Sequence, residues 1–100
     1  MEKIKLYNGH VFEIIPMGIE TNKFEKTRKF SFVSVLSYED IESEFSDEEN
    51  ISRIEYYSAA GDLLKTYSDC VSLKMLAKEF NREYEDGKFA DVYTVLLNLT

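Results

Sequence analysis

Few side chains in this sequence could take part in catalysis or metal binding. His10 is the only histidine and Cys70 the only cysteine, so any zinc site would need carboxylates for its remaining ligands. A Cys70–His10–Asp relay is the sole nucleophilic arrangement that the chain could offer, and no activating motif surrounds Cys70. The simpler interpretation makes Cys70 a small packed hydrophobe and His10 a turn residue. We therefore predict no catalytic residue, no cofactor and no metal, and a protein that is not an enzyme.

An acidic segment, residues 39–49, carries the whole net charge of −7, because the rest of the chain holds 12 acidic and 12 basic side chains. The Asp/Asn spacing and the glycine of a calcium loop are missing, and acids along a helix diverge around its axis, so we expect no metal here. A solvated helix face is the ordinary interpretation. The functional interpretation is a surface that docks a basic protein. Its predicted partner-binding residues are Glu39, Asp40, Glu42, Glu44, Asp47, Glu48 and Glu49.

A smaller basic cluster could suggest contact with nucleic acid. It consists of Lys23, Lys26, Arg28 and Lys29, with Phe24 among them. Four positive charges on a molecule of net charge −7 make a weak nucleic-acid surface. The glycines are scattered, so the sequence has no phosphate-binding loop. We predict no direct binding to nucleic acid.

Length and composition bound the class of protein. One hundred residues with 44% hydrophobic and 14% aromatic content suffice for one core, which predicts a single domain over 1–100. One cysteine excludes an intrachain disulfide and favours a reducing compartment. No uninterrupted apolar run exceeds three residues, as at 95–97, whereas a membrane span needs roughly 20. We expect a cytoplasmic protein that does not bind membranes.

The first predicted hairpin turns at Asn8-Gly9. The flanking segments, 2–7 and 10–17, are rich in apolar residues, and both turn residues tolerate the positive φ that a tight hairpin needs. Pro16 cannot donate a hydrogen bond to a neighbouring strand, so its part of the second strand should lie at an edge or leave the sheet.

Further strands follow from similar patterns. Residues 20–29 are polar and predict a loop, and the aromatic and β-branched residues of 29–36 predict a strand. A second hairpin joins 54–57 to 63–67 through a turn at 59–62 that contains glycine.

A short acidic helix is predicted after residue 36. Ser37 stands three residues before an acid in a capping-box-like pattern, and acids suit the positive end of a helix dipole. Tyr38, Ile41 and Phe45 recur at helical spacing and would form the buried face. We expect 46–50 to end this helix.

The C-terminal third is less regular. Residues 71–84 match both a helical stripe and strand alternation, with the helical pattern slightly favoured, and a turn follows at Asp86-Gly87. Segment 92–99 is apolar on both faces, which is typical of a central strand. Because it carries no charge, we also expect it to offer an unguarded edge to a partner strand. Together these patterns predict an α+β fold, mainly antiparallel β-sheet built from hairpins, with one short acidic helix.

The order of these segments resembles a group of small phage proteins. The chain opens with KIKLYNG, continues through the acidic helix and the Gly61-Asp62 hairpin, and ends with DVYTVLL. In this it is similar to proteins of about a hundred residues from phages and prophages of low-GC Gram-positive bacteria, often encoded among tail-region structural genes. The resemblance implies that 71–84 continues as strand, with Asp86-Gly87 as a hairpin turn. It brings no catalytic residues.

Two functional hypotheses follow. The first is a non-enzymatic structural or assembly protein of a phage, in the host cytoplasm or in the virion, which docks a protein or a second copy through sheet edges and tyrosine-rich faces. The alternative is a phage-encoded inhibitor of a host nucleic-acid-binding enzyme or defence complex, in which the acidic helix imitates a phosphate backbone. True mimics spread acids over much of their surface, whereas this chain is neutral outside 39–49.

Overall fold

The computed structural model describes residues 1–68 and 70–99, with the backbone alone for 72–75 and 99. The described residues form one seven-stranded sheet and two short helices, which confirms the predicted α+β class with a mainly antiparallel sheet. No helix among them is long and apolar enough to cross a bilayer. In chain order the elements are β1 (Lys3–Lys5), β2 (Val11–Asn22), β3 (Thr27–Val33), α1 (Tyr38–Ser46), α2 (Glu48–Ile51), β4 (Arg53–Tyr57), β5 (Leu63–Ser68), β6 (Cys70–Glu85) and β7 (Lys88–Leu99).

The sheet is strongly curled. Its strand order is β5-β4-β1-β2-β3-β7-β6, and every neighbouring pair is antiparallel. The two edge strands are consecutive in the chain, since β5 ends at Ser68 and β6 begins at Cys70. The sheet must therefore bend round until its two edges meet at this point, so that one face encloses the core.

Aromatic side chains fill the inner face of the curled sheet. The ring of Phe32 in β3 lies 4.7 Å from Phe12, 5.4 Å from Phe45 and 6.0 Å from Tyr93, measured between centroids. These separations are within the range of favourable aromatic pairs. Rings from three strands and one helix thus meet at Phe32, which is fully buried.

Helices α1 and α2 pack onto this core. The hydroxyl of Ser37 accepts a hydrogen bond from the backbone N–H of Asp40 at 3.1 Å, as the capping pattern predicted. Ile41 and Phe45, one turn apart, are the buried side chains of α1. Helix α1 ends at Ser46, within the predicted 46–50, but a second short helix, α2, follows Asp47 where only one helix was predicted.

Strand β2 is irregular in its middle. The pairing register between β2 and β3 shifts between Ile14 and Ile19, in the part that contains Pro16, as expected for a residue without an N–H. A Cβ atom added to Gly18 would lie 2.5 Å from the backbone oxygen of Ser31. Only glycine lets β2 approach β3 this closely.

The predicted loop at 20–29 is wrong. Strand β2 continues to Asn22 and β3 begins at Thr27, so only a four-residue turn separates them. The side-chain oxygen of Asn22 accepts hydrogen bonds from the backbone N–H groups of Phe24 and Glu25, both at 3.1 Å. This Asx turn closes the hairpin. The polar residues of 20–22 lie on an exposed part of β2, whereas Thr27 and Arg28 are buried at the start of β3.

The segment 71–84 is strand, as the resemblance implied, and lies within β6. A register shift between Glu79 and Arg82 marks a bulge at Asn81, whose φ is 47°. The N–H of Asn81 donates to a carboxylate oxygen of Asp91 on β7 at 3.0 Å. At the other end of the chain, β1 covers only Lys3–Lys5 of the predicted 2–7.

The expectation that the last strand forms an open edge is wrong. Strand β7 lies between β3 and β6, so both of its sides are paired. Its apolar residues on two faces belong to an interior strand, with Val92 and Tyr93 both buried. The edge strands are β5 and β6, and both carry charged side chains such as Lys65 and Glu79, which discourage non-specific pairing.

Candidate functional site

The seven predicted acidic residues all lie on or between the two helices, which we call the acidic cap. Buried Ile41 and Phe45 fix the inner side of α1, and Ile51 anchors α2. The acids consequently face outward, and six of the seven are exposed. Only Glu44 is half-buried, with 24% of its side chain accessible.

Glu44 differs from the rest because it joins the cap to the β1–β2 turn. The Nδ2 group of Asn8 donates to Oε2 of Glu44 at 2.8 Å. Nδ1 of His10 lies 3.3 Å from the other oxygen, Oε1, and Nδ2 of Asn50 lies 3.5 Å from Oε2. Glu44 therefore positions the cap against the β1–β2 turn, and its predicted contact with a partner stays a prediction.

Asp47 also has a local role. Its carboxylate accepts hydrogen bonds from the backbone N–H groups of Glu49 at 3.0 Å and Asn50 at 3.4 Å, and so caps α2. Five exposed carboxylates remain whose side chains bind no other described residue. These are Glu39, Asp40, Glu42, Glu48 and Glu49.

Two further hydrogen bonds hold the cap to the rest of the protein. The backbone N–H of Tyr7, after β1, donates to the backbone oxygen of Asn50 at 2.9 Å. The hydroxyl of Tyr38 donates to the backbone oxygen of Leu76 on β6 at 3.1 Å. Both tyrosine side chains are largely exposed, at 60% and 40%, so two amphipathic rings border the acidic cap.

The predicted basic cluster is divided in the structure. Arg28 points into the core, with only 8% exposed, and Lys29 pairs with Glu20 at 3.4 Å. Lys23 and Lys26 remain in the exposed turn between β2 and β3. This turn lies at the far end of β2 from the β1–β2 turn that holds the acidic cap. The four basic residues therefore do not form one continuous positive surface.

Arg28 belongs to a polar group inside the curled sheet. Its Nη1 donates to the hydroxyl of Tyr67 at 2.7 Å, and its guanidinium carbon lies 4.3 Å from the centre of the Tyr67 ring. Nε of Arg28 is buried and has no hydrogen-bond partner among the described residues. Burial raises the pKa of Tyr67, and the neighbouring guanidinium opposes that rise.

A second polar contact, which is partly buried, joins the N-terminus to β4. The hydroxyl of Tyr56 donates a hydrogen bond to the carboxylate of Glu2. Burial, and then this carboxylate, raise the pKa of Tyr56 to about 12, because both disfavour the phenolate. Both contacts have a structural explanation, since they satisfy polar groups at the edge of the core.

The two candidate catalytic residues are in different surroundings. His10 stands beside Glu44 and stacks on Phe12, with ring centroids 4.3 Å apart. Cys70 is buried in the core cluster, as its interpretation as a packed residue predicted. The described contacts do not join the two into a relay. Within residues 1–68 and 70–99, no group of three or more His, Cys, Asp and Glu side chains is placed to hold a metal ion.

An apolar groove beside the cap was not predicted from the sequence. Its volume is about 730 Å³, and His10 lines one end. Val11, Val35 and Phe89 also line it, and all three are unusually exposed for their type, at 46%, 102% and 55%. These residues come from three distant parts of the chain, so no local pattern could have grouped them.

In comparison with known proteins, the chain matches no family model, no curated protein and no solved structure. The geometry of the acidic cap and its neighbouring groove therefore has to be interpreted from its own chemistry.

Proposed function

We propose that this chain is a non-enzymatic interaction protein, of the kind that phages use as small structural or assembly components. It acts in the cytoplasm of the bacterial host or within the virion. Its partner is a protein with a basic surface, which binds the acidic cap.

The observation that carries this proposal is the set of five exposed carboxylates on a rigid support. Concentrated charge of one sign steers a partner of opposite sign and disfavours others. Buried Ile41, Phe45 and Ile51 hold the backbone of the cap in place, so little order has to be created on binding.

Exposed tyrosine rings add apolar surface beside the carboxylates of the cap. Tyr7 and Tyr38 lie at its border, and tyrosine is enriched in protein interfaces because its ring is apolar and its hydroxyl can still bind water. A docked protein could bury these rings while its lysines or arginines meet the carboxylates. Such a surface suits assembly and requires no catalytic residue.

The same carboxylates support the alternative function as a charge mimic. An inhibitor of this kind occupies the basic channel of a host nucleic-acid-binding enzyme or defence complex, and its contact is almost entirely electrostatic. Mimicry favours an excess of acids over a wide surface, whereas here the excess of acidic over basic residues is confined to 39–49, which is why we favour the structural proposal.

Capture experiments at two ionic strengths separate the proposals. Tagged protein is incubated with lysate of host cells in which the phage is replicating, at low salt and at high salt, and bound proteins are identified by mass spectrometry. The structural function predicts virion or assembly proteins that bind best at low salt and are still retained in part at high salt, since the apolar contacts of Tyr7 and Tyr38 are not screened. Recovery of a nucleic-acid-binding host protein at low salt alone would overturn it in favour of mimicry.

A further inference from the structure

Strand β3 is shorter than the strands on either side of it. It ends at Val33, which pairs with Glu13 of β2 and Val92 of β7. Beyond that point β2 extends to Val11 and β7 extends to Lys88. The sheet thus has a gap, one strand wide, between the starts of β2 and β7, and we call this gap the slot.

The backbone of β2 faces the slot at Val11. The backbone N–H of Ile14 donates to the backbone oxygen of Glu2, and the backbone oxygen of His10 accepts from the N–H of Leu6, both at 2.9 Å. The backbone groups of the even-numbered residues in this part of β2 are therefore directed to β1. Backbone groups alternate in direction along an antiparallel strand. The N–H and C=O of Val11 are therefore directed away from β1, where β3 no longer provides a partner.

The opposite wall has the same character. The N–H of Ser34 donates to the backbone oxygen of Asp91 at 3.3 Å, which is the last described contact of this segment with β7. Phe89, two residues earlier in β7, has its backbone groups directed to the same side. On its other side β7 pairs with β6, and the backbone groups directed to β6 belong to the alternate residues, such as Ala90. Both walls of the slot thus present a backbone donor and acceptor.

The dimensions of the slot fit one extended chain. Strands separated by one missing neighbour lie about 10 Å apart, twice the spacing of adjacent strands. The groove found here is open and has a volume of about 730 Å³. On the side of β7 that faces away from β6, residues 88–90 have no described backbone partner, which leaves room for roughly three residues of a partner strand.

The side chains around the slot indicate which segment it would accept. Val11, Val35 and Phe89 offer apolar contacts, and Glu13 adds negative charge. The carboxylate of Asp91 is already paired with Lys78 at 3.5 Å. The end of the slot at His10 adjoins Glu44 and the acidic cap. A strand that continues the direction of β3 would run antiparallel to both walls, and its C-terminal end would reach the cap.

We propose that the slot receives an extended segment of the partner protein, apolar in alternate positions and basic at its C-terminal end, which completes the sheet by pairing with Val11 and Phe89. The inference rests on the proposed function, because it assigns the backbone contact of the same partner. Strand addition supplies affinity through main-chain hydrogen bonds, and alternate side chains supply specificity.

A designed peptide tests the slot without knowledge of the partner. The probe is the blocked octapeptide TVTVTVKK, titrated into isotopically labelled full-length protein and followed by NMR. We expect saturable shifts of the Val11 and Phe89 amide signals. The same peptide with N-methyl groups on alternate valine or threonine amides should bind at least about fivefold more weakly, because it lacks strand donors. No saturable shift at these amides would overturn the proposal.

Two variants locate the contact on the protein. Val11→Pro removes an N–H that faces the slot and leaves the β1 pairing intact. This variant should therefore bind the peptide more weakly by a similar factor. Phe89→Lys should also weaken it, whereas Phe24→Lys, an equal change at a fully exposed residue of the far turn, should not. Equal binding by all variants would contradict the slot. If Val11→Pro fails to fold, the N-methylated probe tests the same hydrogen bonds.

The peptide experiment on the slot and the capture experiment on the acidic cap can fail independently of each other. A protein that binds the probe in the slot but captures no basic partner would refute the role of the acidic cap alone. A protein that captures its partner through the cap but ignores the probe would refute the slot alone.

Discussion

Nδ2 of Asn8 donates to Oε2 of Glu44 at 2.8 Å, and this bond joins the first hairpin turn to the acidic helix. The two residues are 36 positions apart in the chain. Their contact separates Glu44 from the other acids of the cap, because its charge is directed to the protein's own turn. The cap thus has two carboxylates with structural roles, Glu44 and Asp47, and five exposed carboxylates with none.

Replacement of Glu44 should therefore affect folding, and replacement of its neighbour Glu42 should not. We expect Glu44→Ala to lower the free energy of unfolding by about 1–2 kcal/mol, since it leaves Asn8 and His10 without their acceptor. Glu42→Ala, the same change on the exposed side of α1, should alter it by less than about 0.5 kcal/mol. Urea denaturation of both variants measures the difference.

Charge reversal extends this comparison. Glu42→Lys and Glu48→Lys should each change stability by less than about 0.5 kcal/mol, because both side chains are exposed. A loss of several kcal/mol at either position would mean that the cap binds an ion or is buried, and its description as a free surface would be wrong.

Substitutions of Arg28 and Tyr67 should have strongly coupled effects on stability, because a buried hydrogen bond joins the two side chains. Tyr67→Phe leaves a guanidinium N–H without its acceptor in the core and should cost about 1–3 kcal/mol of unfolding free energy. With Arg28→Met in the same chain, the further loss from Tyr67→Phe should be much smaller. A double-mutant cycle by chemical denaturation measures this coupling. Strictly additive effects of the two substitutions would contradict it.

Tyr56 should reduce the stability of the protein at high pH. Its pKa is raised from 10.0 to about 12, by burial first and then by Glu2. Below pH 10 the residue is neutral in both states, and its contribution is fully present. As the pH rises from 10 to about 12, the unfolded chain releases the proton first and this contribution is lost. The difference between the parent and Tyr56→Phe in thermal denaturation over this range should follow that direction, and a difference independent of pH would refute it.

Gly18 should tolerate no side chain. The Cβ of Gly18→Ala would meet the backbone oxygen of Ser31 at 2.5 Å, so we expect a loss of about 1–3 kcal/mol in unfolding free energy. Met17→Ala, at an adjacent residue that is 95% exposed, is the control and should stay within about 0.5 kcal/mol. Equal stability of the two variants would show that β2 can move away from β3.

Local chemistry was enough to predict much of this fold. Asn8-Gly9 and Gly61 mark two of its hairpins because glycine accepts the positive φ found at both positions, 90° and 93°. The cap residue Ser37 and the buried pair Ile41 and Phe45 define α1 for equally local reasons. The structure of 71–84 was harder to predict, because its apolar residues fit both the alternation of a strand and the spacing of a helix.

Long-range features could not be predicted in the same way. The two apolar faces of 92–99 correctly indicated a central strand, but nothing in the segment identifies β3 and β6 as its neighbours, and the further expectation of an open edge was wrong. Likewise, a run of seven acids gives no sign that Glu44 faces Asn8 or that Asp47 caps α2. Pairing over such separations depends on the curl of the whole sheet, which no single segment encodes.

The central claim is that the exposed acids of the cap bind a basic partner, and charge reversal tests it most directly. Three proteins are compared in capture from lysed host cells: the parent, Glu42→Lys/Glu48→Lys in the cap, and the control Glu25→Lys/Asp62→Lys. The control makes the same change in net charge at exposed residues outside the cap.

We expect the cap variant to retain at least about tenfold less partner, since like charges placed in an interface cost several kcal/mol, while the control keeps the parent's level. Equal retention by all three proteins would contradict the account.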